Sequence, residues 1–411
     1  MYQLLIRLLS PLLWLIILFE TLKRQAGIPF FLQRLGLAYP PCVTLPPEKK
    51  RIWLHCASVG EVKAAEPLIR HLLKSTSLQP EIIVTTNTPT GKELLLSLFP
   101  KSVTHFYLPL DWPFAIHRFL SAAKPSELWV FETEIWPNLY RISAQKGIRI
   151  HIINGRLSQK TLTIPNWLKK AYQNSLQNVS QVLARSHQDA ERFIMLGANP
   201  NTVQILGNIK YAQFEQTDHY PNPINIEYVL LASSHKDEEL KIGQLWQNLK
   251  RSELLVIVPR HPKRSVSIQK QLNSLGIEYK VASLGDSITS ETQVFLDDRL
   301  GKLMPLFEHA KLVIMGGSFV PKGGHNILEP AAYGKAIITG PDMSDFTSEM
   351  SILKELNGIK QCQDYQQLQT SLVELLDNPL ARQQLGLGAL QALKTQSSTL
   401  KNYLKALSVN Q

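Results

Sequence analysis

The sequence predicts an α/β fold: two doubly wound, parallel-sheet domains facing a central cleft, preceded by an apolar helix. Three observations carry this expectation. Short β-branched apolar runs alternate with helical runs from Arg51 to Leu206, the pattern of parallel strands joined by right-handed helical crossovers. The alternation lapses from Gly207 to Ile226, where Pro221 and Pro223 stand, and resumes at Tyr228. An apolar run, Leu4–Phe19, broken only by Arg7, Ser10 and Pro11, precedes both series. At 411 residues the chain has room for two or three domains.

The first element reads as a membrane anchor helix over residues 1–24. Its apolar run is marginal against the about 20 residues that a spanning helix wants, so it either spans or lies in the interface with Arg7 reaching for water. No small-residue cleavage site follows it. Lys23, Arg24 and Arg34 on its C-terminal side put the remainder in the cytoplasm. Residues 25–50, with Pro29, Pro40, Pro41, Pro46 and Pro47, read as a linker. Strands are expected at Arg51–Cys56, Glu81–Thr86, His105–Leu108, Glu127–Phe131, Arg149–Ile153, Gln181–Ala184 and Val203–Leu206, with helices between them. These make a first domain over 51–207. Residues 208–226 read as a hinge. A second domain, 227–411, has strands at Tyr228–Ala232, Glu253–Val258, Glu278–Val281, Thr292–Leu296, Leu312–Met315 and Ala336–Thr339. Helices close the chain, and the last is free to pack back on the first domain.

The net charge is +11 and the pI about 9.4, so the surface favours anionic partners such as acidic lipid or phosphorylated molecules. No zinc-finger spacing, RNA-binding signature or long basic block supports nucleic acid. Cys42, Cys56 and Cys362 are widely spaced and odd in number, which fits buried thiols in a reducing compartment. No Walker A loop, dinucleotide GxGxxG, HExxH or serine-histidine-aspartate order appears. No metal-ligand set and no cofactor are expected.

Polar motifs recur where strands are expected to end. After the first strand, Ala57-Ser58-Val59-Gly60 is a small-residue turn, with Gly60 allowing an unusual backbone angle. Glu61 begins the following helix, where the dipole favours a charged carboxylate ready to accept a proton. Glu132 and Glu134 follow the strand Glu127–Phe131 and can bind sugar hydroxyls or orient a cation; as a metal pair they lack a third ligand. Arg156 follows the next strand and can bind an anion or form a surface salt bridge. Lys210 stands at the start of the hinge, within reach of the cleft.

In the second series, Ser233, Ser234 and His235 form a turn suited to phosphate or carboxylate, although Ser234 with Asp237 also resembles a capping box. Arg260, His261, Lys263 and Arg264 crowd five residues after another strand, and arginine there suits phosphate. The stretch Val313–Pro341 reads as strand, glycine-rich loop, helix and strand. Gly316, Gly317, Gly323 and Gly324 let backbone N–H groups approach a ligand. Asn326 caps a helix starting near Ile327, whose N-terminus suits an anion. Glu329 in its first turn is placed to accept sugar hydroxyls.

Taken in order, HCASVGE, VFETEIWPN, NGRLS, GNIKY, SSHKDEE, PRHPKR and GGSFVPKGGHNILEPAAYGK resemble the 3-deoxy-D-manno-octulosonic acid (Kdo) transferases of Gram-negative bacteria, over nearly the whole chain. The resemblance implies a GT-B fold of two Rossmann-like halves. It implies inverting, metal-independent transfer of Kdo from CMP-Kdo to lipid IVA, the lipid A precursor, at the cytoplasmic face of the inner membrane during lipopolysaccharide synthesis. The family's catalytic base falls on Glu61. Its donor-site residues fall on Arg260, His261, Gly317, Ser318, Gly324, Asn326 and Glu329, and its conserved-motif lysine and histidine on Lys210 and His235. The chemistry suits the residues. The acceptor hydroxyl needs a base, which Glu61 offers. The donor, with a carboxylate and one phosphate, suits Arg260 and Lys263. The bis-phosphorylated glycolipid acceptor and an anionic leaflet suit the basic surface. Two alternatives stand beside this reading: a GT-B transferase using a UDP-sugar and a lipid-linked acceptor, and a membrane-tethered binder of anionic sugars without catalysis.

Overall fold

The computed structural model describes residues 2–407 except 44, 47–48, 76–79 and 215–217. Pro47 of the expected linker and residues 215–217 of the expected hinge therefore lie outside the described residues. The chain divides into two compact units, Met1–Gln213 with Ser398–Gln411, and Phe214–Ser397.

In the first unit seven strands run parallel: β1 (Arg51–His55), β2 (Glu81–Thr86), β3 (Thr104–Tyr107), β4 (Glu127–Phe131), β5 (Arg149–Gly155), β6 (Gln181–Ala184) and β7 (Val203–Ile205). Their order is β3-β2-β1-β4-β5-β6-β7. β1 and β4 are neighbours, with His55 opposite Val130. Both are buried along their whole length, as strands covered by helices on both faces must be. Alternate side chains feed two cores. Trp53, Leu128 and Val130 enter one, and Leu54, Trp129 and Phe131 the other. The period of two along a strand makes that division.

Two parts of this unit differ from the sequence reading. Part of the expected linker, Gly27–Arg34, is helix. Its Phe30 is fully buried, Leu35 just beyond it likewise, and both pack with Tyr107, Trp112 and Ala115. The prolines masked this helix, because Pro29 sits in its first turn, where no N–H bond is lost. The closing helix Thr399–Ala406 belongs to this unit. Tyr403 and Leu404 join the core beside Val62 and Leu68, and the Tyr403 hydroxyl donates to the carbonyl of Gly207 at 3.0 Å.

The second unit is a second all-parallel sheet: β8 (Tyr228–Ser234), β9 (Leu254–Pro259), β10 (Tyr279–Val281), β11 (Val294–Leu296), β12 (Leu312–Met315), β13 (Ile337–Thr339) and β14 (Lys360–Gln361). The order is β10-β11-β9-β8-β12-β13-β14. β14 went unforeseen, since two polar residues at a sheet edge carry no periodic signal. β8 and β12 are neighbours, with Ala232 opposite Met315. In each sheet the chain therefore reverses its direction of winding between two adjacent strands, β1 and β4 or β8 and β12. Loops diverge there and leave a crevice at the carboxyl ends of the strands.

Candidate active site

In the first unit the loops after β1 and β4 meet at that reversal. Ser58 is the N-cap of helix Val59–Lys74 and its hydroxyl accepts from the Glu61 amide. The Glu61 carboxylate turns back in return. It accepts from the Ala57 amide at 2.7 Å and from the Ser58 hydroxyl at 3.0 Å, a variant of the capping box. The helix thus starts two residues earlier than expected. Gly60 is exposed, and it is absent from the left-handed glycines. It therefore adopts no unusual angle, and a Cβ there would only touch the Ser58 hydroxyl at 3.8 Å.

Glu61 is only 8% exposed. Burial pushes its carboxyl up to about 8; the Ala57 amide opposes this, and the charges of Glu132 and Glu134 add to it. The expectation that the helix dipole keeps it ionised is thereby reversed, since desolvation outweighs the dipole. A carboxyl titrating near 8 is well matched to taking a proton from a sugar hydroxyl near neutral pH.

Glu132 ends β4 with a left-handed φ of 57°, and Lys210 lies 3.1 Å from its carboxylate. Lys210 is held there by Asn154, whose side-chain oxygen accepts from the Ile209 amide at 3.1 Å. Asn154 is fully buried and itself has a φ of 55°. Left-handed, non-glycine residues thus stand at two neighbouring strand ends. Arg156, by contrast, is exposed on the following loop.

Glu134 accepts from the Trp136 indole at 2.8 Å and from the Asn87 amide at 3.4 Å, and lies 3.6 Å from His55 Nε2. Burial alone would raise its carboxyl, but His55, Trp136 and Arg34 together hold it below the ordinary value. His55 is completely buried, with Nδ1 2.9 Å from the Thr85 hydroxyl. Arg34 donates to Asn87 at 2.9 Å, so the unforeseen helix buttresses the site. Sequence reasoning missed His55, Asn87, Asn154 and Arg34. The signal for His55 was a polar residue ending an apolar strand, which has to find partners.

In the second unit the loops after β8, β9 and β12 converge. Glu238 and Glu239 open the helix Glu238–Leu249 and are both fully buried. Glu239 accepts from the Ser234 hydroxyl at 2.9 Å and pairs with both arms of Arg264. Ser234 is thus a brace for that carboxylate and not a capping residue; Asp237 stands at the N-cap with a φ of 77°. Arg264 is committed to Glu239, whereas Arg260, His261 and Lys263 are exposed. The Arg260 amide donates to the Ser234 carbonyl at 3.0 Å, locking the two loops.

Glu238 clamps the glycine loop. It accepts from the amides of His235 at 2.8 Å, Gly317 at 2.8 Å and Phe319 at 3.1 Å. The Gly323 amide donates to Asp342 at 2.7 Å, the Gly324 amide to the Gly317 carbonyl at 2.9 Å, and the Gly316 amide to the Ala232 carbonyl at 2.8 Å. All four glycine amides expected to meet a ligand are therefore occupied within the protein. The loop is a shelf braced by its own hydrogen bonds, with Arg260, His261 and Lys263 exposed nearby in the same unit. The glycines serve close approach: a Cβ on Gly316 would lie 2.6 Å from the Ser233 carbonyl, and one on Gly323 2.6 Å from Asp345. Gly323 and Gly324 also need φ near +77°.

Ser318 is wholly buried; its hydroxyl donates to the Met315 carbonyl at 2.5 Å and accepts from Gly340 at 2.7 Å. It shapes the shelf and does not face a ligand. The helix expected at Ile327 is short, Leu328–Ala332, too short for a strong dipole. Asn326 accepts from the Leu328 amide at 3.2 Å and donates to Glu329 at 3.0 Å. On this shelf His235 and His325 meet, Nε2 to Nε2, at 2.8 Å. Among the described residues no group of three or more His, Cys, Asp or Glu has the arrangement to hold a metal ion.

The architecture has solved counterparts. The chain is similar to UDP-GlcNAc 2-epimerase from Neisseria meningitidis bound to UDP-GlcNAc, at a TM-score of 0.61 and 14% identity, over 88% of this chain and all of that one. That likeness is one of fold, and with the two parallel-sheet α/β domains it defines a GT-B protein. Residues 31–213 match the family described as 3-deoxy-D-manno-octulosonic-acid transferase (kdotransferase). The chain is 33% identical to a 3-deoxy-D-manno-octulosonic acid transferase of Haemophilus influenzae, over 88% of this chain and 87% of that protein. It is 30% identical to one of Bordetella pertussis, over 84% and 83%. This chain belongs to the 3-deoxy-D-manno-octulosonic acid transferase family.

Proposed function

We propose that this protein transfers Kdo from CMP-Kdo to lipid IVA in lipopolysaccharide synthesis, with inversion and with Glu61 as general base. The observation that carries the reading is the Glu61 carboxyl itself: buried, fixed by two hydrogen bonds, and titrating near 8 at the reversal point of its sheet. A sugar hydroxyl is too weak an acid to ionise unaided. As its oxygen attacks the anomeric carbon of Kdo, its proton passes to Glu61 and the bond from that carbon to the CMP phosphate breaks. Glu132, paired with Lys210, and Glu134, beside His55, accept acceptor hydroxyls, and their charges help hold the Glu61 carboxyl high. On the second unit, Arg260, His261 and Lys263 meet the phosphate and stabilise it as it leaves. Gly316, Gly317, Ser318, Gly323 and Gly324 shape the shelf beneath the nucleotide. Asn326 and Glu329 border it.

We assign membrane attachment to the first helix, Tyr2–Lys23, the one helix among the described residues that is long and apolar enough to cross a membrane. Only Ile17 in it is buried, while Leu8, Leu15, Phe19 and Leu22 stand exposed. Its start is tied to its own domain: the Tyr2 hydroxyl donates to Asp111 at 2.6 Å, and Gln3 donates to Asn138. A helix fastened near one end and packed through Ile17 near the other suits an interfacial anchor better than a spanning one. It would hold the enzyme at the cytoplasmic face of the inner membrane, where the excess of positive charge favours anionic lipid.

The test is incubation of the purified full-length protein with CMP-Kdo and lipid IVA, read by product mass. The mass reports activity and the number of Kdo residues added. CMP is expected to inhibit and UDP to leave the rate unchanged. Inhibition by UDP alone would move the donor to a UDP-sugar. Unimpaired turnover by Glu61→Gln would remove Glu61 as the base.

A further inference from the structure

His235 follows β8 and His325 comes from the loop after β12. Their rings lie 12° from parallel with centroids 5.1 Å apart, and His261 stands edge-on to His235 at 5.8 Å. Gly317 makes the meeting feasible, since a Cβ there would come within 3.1 Å of the His325 ring and 3.2 Å of the His235 ring.

Two ring nitrogens 2.8 Å apart need one donor and one acceptor. Two N–H groups would collide, and two bare lone pairs would repel. The neutral pair thus keeps one bridging proton. The acceptor ring carries its own proton on Nδ1, and the donor ring has a bare Nδ1 free for one more. His261, Lys322, Arg264 and Glu239 face His235, the last already neutralised by Arg264; Arg260 and His261 face His325. Burial, with this positive surplus, lowers His235 and pushes His325 down to about 4. An empty site therefore leaves the pair uncharged at neutral pH. An anion that offsets Arg260 and Lys322 removes part of what opposes the extra proton.

We propose that His235 and His325 form one proton-sharing unit that takes a proton from solvent as the nucleotide phosphate binds and returns it as CMP departs. This rests on the reading of the second unit as the CMP site. The direction follows from linkage: a group whose affinity for protons rises on binding makes binding take up protons, and affinity falls as pH rises through its bound-state value.

The probe is CMP, titrated calorimetrically into the full-length protein at pH 7.5 in PIPES, HEPES and Tris, whose ionisation heats differ. The second ionisation of a phosphate monoester lies near about 6, so CMP is almost wholly dianionic at pH 7.5 and a cationic site favours that form; loss of the uptake in the histidine variants assigns the proton to the pair. We expect a net uptake of protons in the wild type that grows as pH is lowered from 7.5 toward 6.5. His235→Gln and His325→Gln should each abolish the uptake and weaken CMP about tenfold, and the double variant should bind no worse than either single one. Wild-type CMP binding without buffer-dependent heat overturns the proposal, as does a double variant whose loss is the product of the single losses. No CMP binding by the wild type would overturn the donor-site reading and this proposal together.

Discussion

Single carboxylates set the character of both halves of the site. Glu61 is protonated below its value near 8 and becomes a base above it. The rate at low substrate should therefore climb about tenfold per pH unit below about 8 and level above it, measured as kcat/KM against pH. Glu61→Gln should flatten that limb and lose about a hundredfold or more of the turnover, while CMP affinity stays. Stability has the opposite pH sense. The folded state holds this proton more tightly than the unfolded chain, so wild-type stability declines between about 4.5 and 8 as the proton is lost. The melting temperature of Glu61→Gln relative to wild type should rise across the same window and then stay constant. Glu238 is the counterpart in the second unit. Replacing it with glutamine turns an N–H group either toward the Phe319 amide or toward those of His235 and Gly317, leaving a buried donor facing donors. CMP affinity should fall about tenfold or more, with the pH profile of Glu61 unaltered.

At the level of elements, the alternating strands and the seven motifs were legible because burial on both faces and polar strand ends write strong local patterns. What stayed hidden is what those polar residues do. Ser234 and Ser318 look like ligand-facing hydroxyls in the chain, yet each is spent inside the fold. The glycine loop looks like an anion cradle, yet Glu238 and Asp342 already occupy its amides. Such pairings join residues about 20 to 80 apart in sequence, and no local periodicity reports them. The helix Pro379–Lys394 shows the same limit. Gly386 lies against the carbonyl of Gly334 and Gly388 against that of Leu356, with no space for a Cβ. Gly386→Ala should cost about 1–3 kcal/mol through overpacking despite its gain in helix propensity, visible as a lower melting temperature of the second unit.

Across the whole molecule, the second unit is an insertion in the first, because the chain returns at Ser398 to finish the first unit's core. Tyr403 is fully buried there, beside residues that leave the ribosome some 340 positions earlier. The whole β8–β14 unit is therefore synthesised before the last residues of the first unit's core. Truncation after residue 397 should leave Phe214–Ser397 resistant to protease while the β1–β7 unit becomes sensitive. A chain cut short before Ser398 is expected to leave the core beneath the Glu61 helix open, so that premature truncation shows itself as unburied apolar surface.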